Sequence, residues 1–339
     1  LKPTGGDDDP IWGIVRLLTS TVGFPYLLIS ASGPLLQHWF GEAYPTRSPY
    51  RLYAISNIGS MLGLLTYPFL FEPMFTVTKQ TVIWSIAFVV YGLFAVGCGY
   101  AFLKHRSKNE VTSADIDEKT DTTPLLDKLL WIAFPACGSM LLLALTNQMC
   151  QDVAVVPFLW VLPLSLYLLT FVIAFDHARW YYRPVAIPLA VPPVAAVVIF
   201  IHRESADEEM HISRQIAIYC SAIFFGCLVC HGEAARIKPA SRFLTKFYLS
   251  ISLGGALGGL FVSLVAPQLF EGYWEMHLAL LLLAGLMTLQ LFRRFGSVKR
   301  VNWHYFAAFG WSALVLLLAM ALNQHIGSRR DGALAASRG

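Results

Sequence analysis

Charged side chains are scarce in this chain: Asp, Glu, Lys and Arg make up 14% of its 339 residues. A water-facing surface draws on about 25%, so a soluble domain is excluded for most of the length. The same deficit, set beside 56% hydrophobic residues, excludes disorder. A basic patch with interleaved aromatics is lacking, which removes nucleic acid as a partner. No cysteine lies outside an apolar segment, so Cys98, Cys137, Cys150, Cys220, Cys227 and Cys230 read as small buried hydrophobes and report no redox compartment. No basic region precedes the first apolar run, so no signal peptide is expected. The chain opens on Leu1 and ends at Gly339 without a clear stop, and is expected to be a piece of a longer protein.

What is present is long apolar runs. A membrane-spanning helix needs about 20 mostly apolar residues. Ten stretches qualify, near 11–36, 52–71, 81–103, 129–150, 153–175, 185–201, 216–229, 247–270, 277–292 and 303–322. The seventh is short and is expected to extend through His231 towards Ala235. The fold class is therefore all-α, a polytopic membrane helix bundle of about ten spans. Its partner is the lipid bilayer.

Numbering the connections alternately divides the basic residues unevenly. One side holds seventeen, among them Arg51, Lys128, Arg183, Arg236, Lys246 and Arg293; the other holds seven, among them Lys79 and Arg214. The richer side is expected to be cytoplasmic, leaving Leu1 outside. Trp39, Tyr50, Trp180, Tyr181, Tyr182, Trp274 and Trp303 fall near span ends, as an interfacial aromatic belt requires. The polar stretch 105–128 lacks apolar periodicity and reads as an acidic cytoplasmic linker. It separates three spans in 1–104 from a second helical half, with one extra span, in 129–325. A polar tail, 326–339, leads towards a missing C-terminal region.

Two helix starts repeat one another. Arg51-Leu52-Tyr53-Ala54-Ile55-Ser56-Asn57-Ile58-Gly59-Ser60-Met61-Leu62-Gly63 and Lys246-Phe247-Tyr248-Leu249-Ser250-Ile251-Ser252-Leu253-Gly254-Gly255-Ala256-Leu257-Gly258 share a basic residue, Tyr, a small polar residue and Gly-x-x-Leu-Gly. Tyr248 stands 195 positions after Tyr53, as Gly254 does after Gly59. The copies are the second and eighth spans, an even offset, so the repeat is parallel. Six-helix parallel halves are the arrangement of major facilitators. Gly59 with Gly63, and Gly254 with Gly258, each lie on one helix face, where small residues let backbones approach closely. Such faces read either as tight helix contacts or as a seam lining a solute path reached by Asn57 and Ser252. Arg51 and Lys246 read as snorkelling anchors.

These repeats resemble the membrane region of bacterial fused major-facilitator/spermidine-synthase-like proteins. So do Leu1-Lys2-Pro3-Thr4-Gly5-Gly6-Asp7-Asp8, Ser48-Pro49-Tyr50, Tyr67-Pro68-Phe69-Leu70-Phe71-Glu72-Pro73 and Cys230-His231-Gly232-Glu233-Ala234-Ala235. The resemblance implies about three further helices before Leu1 and a C-terminal aminopropyltransferase-like domain. It also implies a bacterial cytoplasmic-membrane location and a small polyamine-related solute. The chain departs from the full pattern: it has no glycine-rich nucleotide loop after a strand and no acidic pair for a polyamine. No catalytic residue can be assigned.

Four features remain to be weighed. Cys227-Leu228-Val229-Cys230-His231 matches the C-x-x-C-H haem attachment pattern, but at the end expected to be cytoplasmic, so covalent haem is disfavoured. His231 and Glu233 read as a relay or ligand contact, or as an interfacial cluster paired with Arg236 or Lys238. Asn147, Gln148 and Asp152, at the outer end of the fourth span, read as interhelical hydrogen-bonding groups or as solute contacts. Pro157 and Pro163 in the fifth span, and Pro184, Pro188, Pro192 and Pro193 in the sixth, are expected to kink or break their helices. No Asp, Glu, Lys or Arg lies mid-span, where one costs ~2.5–3.5 kcal/mol on insertion scales; this argues against a proton pump. No metal site is expected. The reading that results is a membrane module that transports or channels a solute. The alternatives are a non-transporting anchor for an enzyme domain and a structural subunit of a larger membrane complex.

Overall fold

The computed structural model describes residues 10–44, 49–109, 123–152, 158–177, 179–204, 211–239, 243–270, 274–293 and 310–311. Among these, every regular element is a helix. Nine helices are long and apolar enough to cross a membrane: α1 Trp12–Ala43, α2 Tyr50–Met74, α3 Val77–Lys104, α4 Leu125–Gln151, α5 Leu159–Asp176, α6 Arg183–Phe200, α7 Ile212–Arg236, α8 Leu244–Leu269 and α9 Trp274–Phe292. The expected tenth span, 303–322, and most of the linker lie outside the described residues. Gly310 and Trp311 are described, and Trp311 is fully buried in the main core.

Backbone groups in lipid must be satisfied within each segment, so proline has to be accommodated and not merely tolerated. Three helices do this in one way. π-helical turns occupy Thr19–Gly23 in α1, Tyr67–Phe71 in α2 and Phe261–Val265 in α8. Each ends two residues before a proline: Pro25, Pro73 and Pro267. The carbonyl four residues before each proline, which its ring would strike in a regular helix, falls inside the widened turn. Both α2 and α8 then end on a phenylalanine in extended conformation, Phe75 and Phe270. By contrast, α6 runs unbroken through Pro188, Pro192 and Pro193, and α5 through Pro163; of the kink or break expected there, the break does not occur. Pro157 lies outside the described residues.

Cross-helix contacts fix the directions. The start of α2 meets the end of α5, where Tyr53 packs edge-on to Phe175 at 5.1 Å and Arg51 pairs with Asp176 at 3.3 Å. The start of α4 meets the end of α9 through Asp127 and Arg293 at 2.8 Å. The start of α6 meets the end of α7. The rings of Tyr53 and Tyr248 meet at a tilt of 34° with centroids 4.9 Å apart, so α2 and α8 begin at the same end of the bundle. That end carries Arg51, Lys128, Arg179, Arg183, Arg236, Lys238, Lys246 and Arg293, the residues of the basic-rich connections.

The core belongs to α4–α9. The most apolar windows of α4 and α9 are 61% and 56% buried, whereas α1 has 0% and α2 and α3 have 6%. Trp12, Phe24, Leu93 and Phe94 are all exposed. Such a surface would aggregate in water but matches lipid tails, which are as apolar as leucine.

The glycine pairs behave differently from each other. Gly254 and Gly258 bring α8 so close to α4 that a Cβ at either would collide with the backbone carbonyls of Ile132 and Ala136. Gly59 and Gly63, expected to form the same contact, have nothing within 4 Å of a Cβ position. Lipid supplies no drive that pushes helices together, so closeness of packing decides which pairs adhere. Gly258→Leu is expected to cost about 1–3 kcal/mol or more through overpacking against backbone that cannot turn aside. Thermal unfolding in detergent reads this as a lowered Tm, and an unchanged Tm would contradict the contact.

Candidate functional site

The last turns of α7 carry His231, Gly232 and Glu233, all buried at the basic end of the bundle. Glu233 faces Arg183 at the start of α6: Nε lies 2.8 Å from Oε1, with the side chains 4% and 2% exposed. The Nε–H is not aligned for a hydrogen bond, so the contact is chiefly one of charge. Tyr181 donates its hydroxyl to the same oxygen at 3.0 Å. A second guanidinium nitrogen, Nη2, reaches the Gln290 carbonyl on α9 at 3.5 Å, and Nη1 has no hydrogen-bond partner among the described residues. The Tyr181 ring lies where a Cβ of Gly232 would stand, so only glycine admits it. The pairing expected with Arg236 or Lys238 is therefore replaced by Arg183. Tyr181, expected in the interfacial belt, is inside.

His231 occupies the other side of this turn. Thr170 on α5 donates to the Tyr167 carbonyl at 2.6 Å and lies 2.8 Å from His231 Nδ1. The threonine hydroxyl thus stands between the Tyr167 carbonyl and the imidazole, and links α7 to α5 in either tautomer of His231. Nε2 is buried with no hydrogen-bond partner among the described residues and points at Gly138 on α4, where a Cβ would come within 3.0 Å. Phe171 stacks on the imidazole at 3.6 Å between centroids, and Tyr167 meets it edge-on at 4.9 Å. Cys227, one turn earlier, contacts the Gly138 carbonyl at 3.5 Å, and Cys227 and Cys230 are fully buried. Both thiols of the haem-like pattern thus face protein. Among the described residues, no group of three or more His, Cys, Asp or Glu side chains is placed to hold a metal.

An aromatic seam adjoins the polar turn. Tyr53 touches Phe171, Phe175 and Tyr248, and Phe247 touches Tyr50, Trp131 and Phe175. Polar edges of the seam hold the α7–α8 connection. Tyr50 donates to the Pro239 carbonyl at 2.8 Å and Trp131 Nε1 to the Ile237 carbonyl at 2.9 Å. Lys238 Nζ sits 4.5 Å over the Tyr50 ring. Burial holds that ammonium below its usual lysine range, and the ring face offsets part of the cost.

Of the residues singled out from sequence, the fold unites Tyr53 with Tyr248, and His231 with Glu233, in adjoining clusters. Gly254 and Gly258 lie on the α8 face towards α4. Asn57 donates to its own helix, to the Tyr53 carbonyl at 2.8 Å. Ser252 is exposed, and Asn147 and Gln148 are half-buried at the far end of α4. Asp152 ends its helix there, and its side chain is outside the described residues. Arg183, Tyr181, Thr170 and Gly138 were not foreseen. Arg183 had one signal, a basic residue opening a proline-rich span, but it reads equally as an anchor. Comparisons with known protein families, curated proteins and solved structures give no match to this chain.

Removing one partner of a buried ion pair leaves an uncompensated charge. Glu233→Gln is expected to cost about 3–5 kcal/mol, and Arg183→Met with Glu233→Met to recover most of it. A double-mutant cycle on Tm in detergent checks this. Additive losses would contradict the pairing.

Proposed function

We propose that this chain is the membrane module of a major-facilitator-like, spermidine-synthase-like protein. In this reading two parallel, duplicated halves move a small polyamine-related solute across a bacterial cytoplasmic membrane, with the basic end inside and the Leu1 end outside. The observation that supports the twin-half reading is the ring contact between Tyr53 and Tyr248, corresponding positions of the two motifs, at one bundle end. Further support lies along the whole repeat. Both copies contain a π-helical turn in their second half, and both close on phenylalanines 195 positions apart. The polyamine class rests on the resemblance described above. The aromatic faces of the seam are chemically suited to organic ammonium ions.

A second reading draws on the density of α4–α9. Large side chains such as Trp131, Phe134, Tyr219 and Phe247 are fully buried there. A dry interior of this kind suits a non-transporting anchor for an aminopropyltransferase-like domain, or a structural subunit of a larger membrane complex.

Uptake separates the readings. Purified protein in liposomes is expected to accumulate radiolabelled spermidine saturably above protein-free vesicles, and Tyr53→Ala with Tyr248→Ala to reduce the rate several-fold. Uptake no greater than in empty vesicles would remove transport and leave the anchor.

A further inference from the structure

The α5–α6 connection runs between two span ends, Asp176 and Arg183, so residues 177–182 stand where hydrocarbon gives way to headgroups. Its first turn closes locally: the Trp180 amide donates to the His177 carbonyl at 3.0 Å, and the Arg179 amide to His177 Nδ1 at 3.1 Å. Tyr181 is drawn inside, over Gly232, to reach Glu233. Its neighbours stay outside: Trp180 is 61% and Tyr182 63% exposed, and Arg179 is exposed beside them. Arg236, the last residue of α7, is exposed as well, and its charge acts on the Tyr181 hydroxyl. The carboxylates at this end of α5 and α7, Asp176 and Glu233, already face Arg51 and Arg183. Among the described residues, neither Arg179 nor Arg236 enters an ion pair.

We propose that Arg179 and Arg236, flanked by Trp180 and Tyr182, form a site for the phosphate headgroup of an anionic phospholipid. Guanidinium forks match phosphate oxygens two at a time. Indole and phenol rings, apolar in body and polar at one edge, settle at the headgroup level. The rings decide the occupant. The acidic stretch 110–121, in the α3–α4 connection at the same end, offers charge to the arginines but nothing to two exposed aromatic rings. A bound headgroup joins the α5–α6 connection to the end of α7, the two segments that Arg183 and Glu233 link from inside. The site serves the protein whether or not it moves a solute.

The test places the protein in phosphatidylcholine vesicles carrying a trace of chain-labelled nitroxide lipid, either phosphatidylglycerol or phosphatidylcholine. Electron spin resonance reads the fraction of labelled lipid slowed by the protein. Phosphatidylglycerol is expected to be held several-fold more strongly than phosphatidylcholine, and less so as salt rises. Arg179→Gln with Arg236→Gln should abolish most of that preference, and Arg179→Lys with Arg236→Lys should keep part of it. Lys79→Gln with Arg214→Gln, which removes the same charge at the opposite end, should leave it intact. All these side chains are exposed, so each variant should keep the parent's Tm in detergent. Equal retention of the two lipids by the parent, or a preference that survives the paired Arg179 and Arg236 changes to Gln, overturns the proposal. So does an equal loss in the Lys79 and Arg214 control, which would make the effect one of net charge. Glycerol phosphate in solution should not displace the lipid; displacement would assign the site to a soluble phosphate and overturn it. A preference seen only after the acidic residues of 110–121 are neutralised would give the arginines to that segment, and also overturns it.

Discussion

The contact of α8 with α4 through Gly254 and Gly258 is the constraint on which this bundle depends. In lipid an apolar side chain gains little by exchanging hydrocarbon for a neighbouring helix, so adhesion must come from close packing and from polar groups that lipid cannot serve. The glycines provide the first by letting backbone meet backbone at Ile132 and Ala136. With α8 held there, Phe247 and Tyr248 are carried to the start of α4 and against Tyr50 and Tyr53 of α2. The aromatic seam is thus a consequence of the glycine contact, and it is where the exposed first helices join the compact second set.

The polar turn of α7 provides the second kind of adhesion. Glu233, Arg183 and Tyr181 tie α7 to α6, Arg183 continues to α9, and His231 with Thr170 ties α7 to α5. An ion pair at 4% and 2% exposure is costly to desolvate, and its usual merit is specificity of arrangement more than stability. It sits at the basic end of the bundle, beside the aromatic seam, so the two polar and aromatic clusters fix the same end of α5–α8. His231 Nε2 is buried with no hydrogen-bond partner among the described residues, and it faces α4 at Gly138, where a side chain would crowd it.

Much of the architecture was legible from residues alone because hydropathy reports length directly. The nine described helices coincide with the first nine apolar stretches, and the even number of spans from the Tyr53 motif to the Tyr248 motif anticipated their common direction. Pairing was less legible. Gly59-x-x-x-Gly63 and Gly254-x-x-x-Gly258 are alike as sequences, yet only one faces a helix among the described residues, since a motif states what a surface permits and not what lies opposite. Arg183 and Tyr181 read as interfacial residues because basic and aromatic side chains collect at span ends. Their burial depends on Gly232 and Glu233, some fifty positions away on another helix. The prolines of α6 predicted a kink or a break, and the helix has no break; the prolines that follow the π turns predicted nothing, since Pro73 and Pro267 lie near the ends of α2 and α8, where proline reads as a terminator, and Pro25 stands alone in the middle of α1.

The common direction of α2 and α8 and the 4.9 Å between the Tyr53 and Tyr248 ring centroids are open to one measurement. Tyr53→Cys with Tyr248→Cys, in membranes treated with a short bifunctional thiol reagent, is expected to give an intramolecular cross-link in high yield. A membrane-impermeant maleimide should reach single cysteines at the exposed neighbours Arg51 and Leu249 from the same face of the bilayer. Labelling of the two from opposite faces, with no cross-link between 53 and 248, would contradict the parallel arrangement.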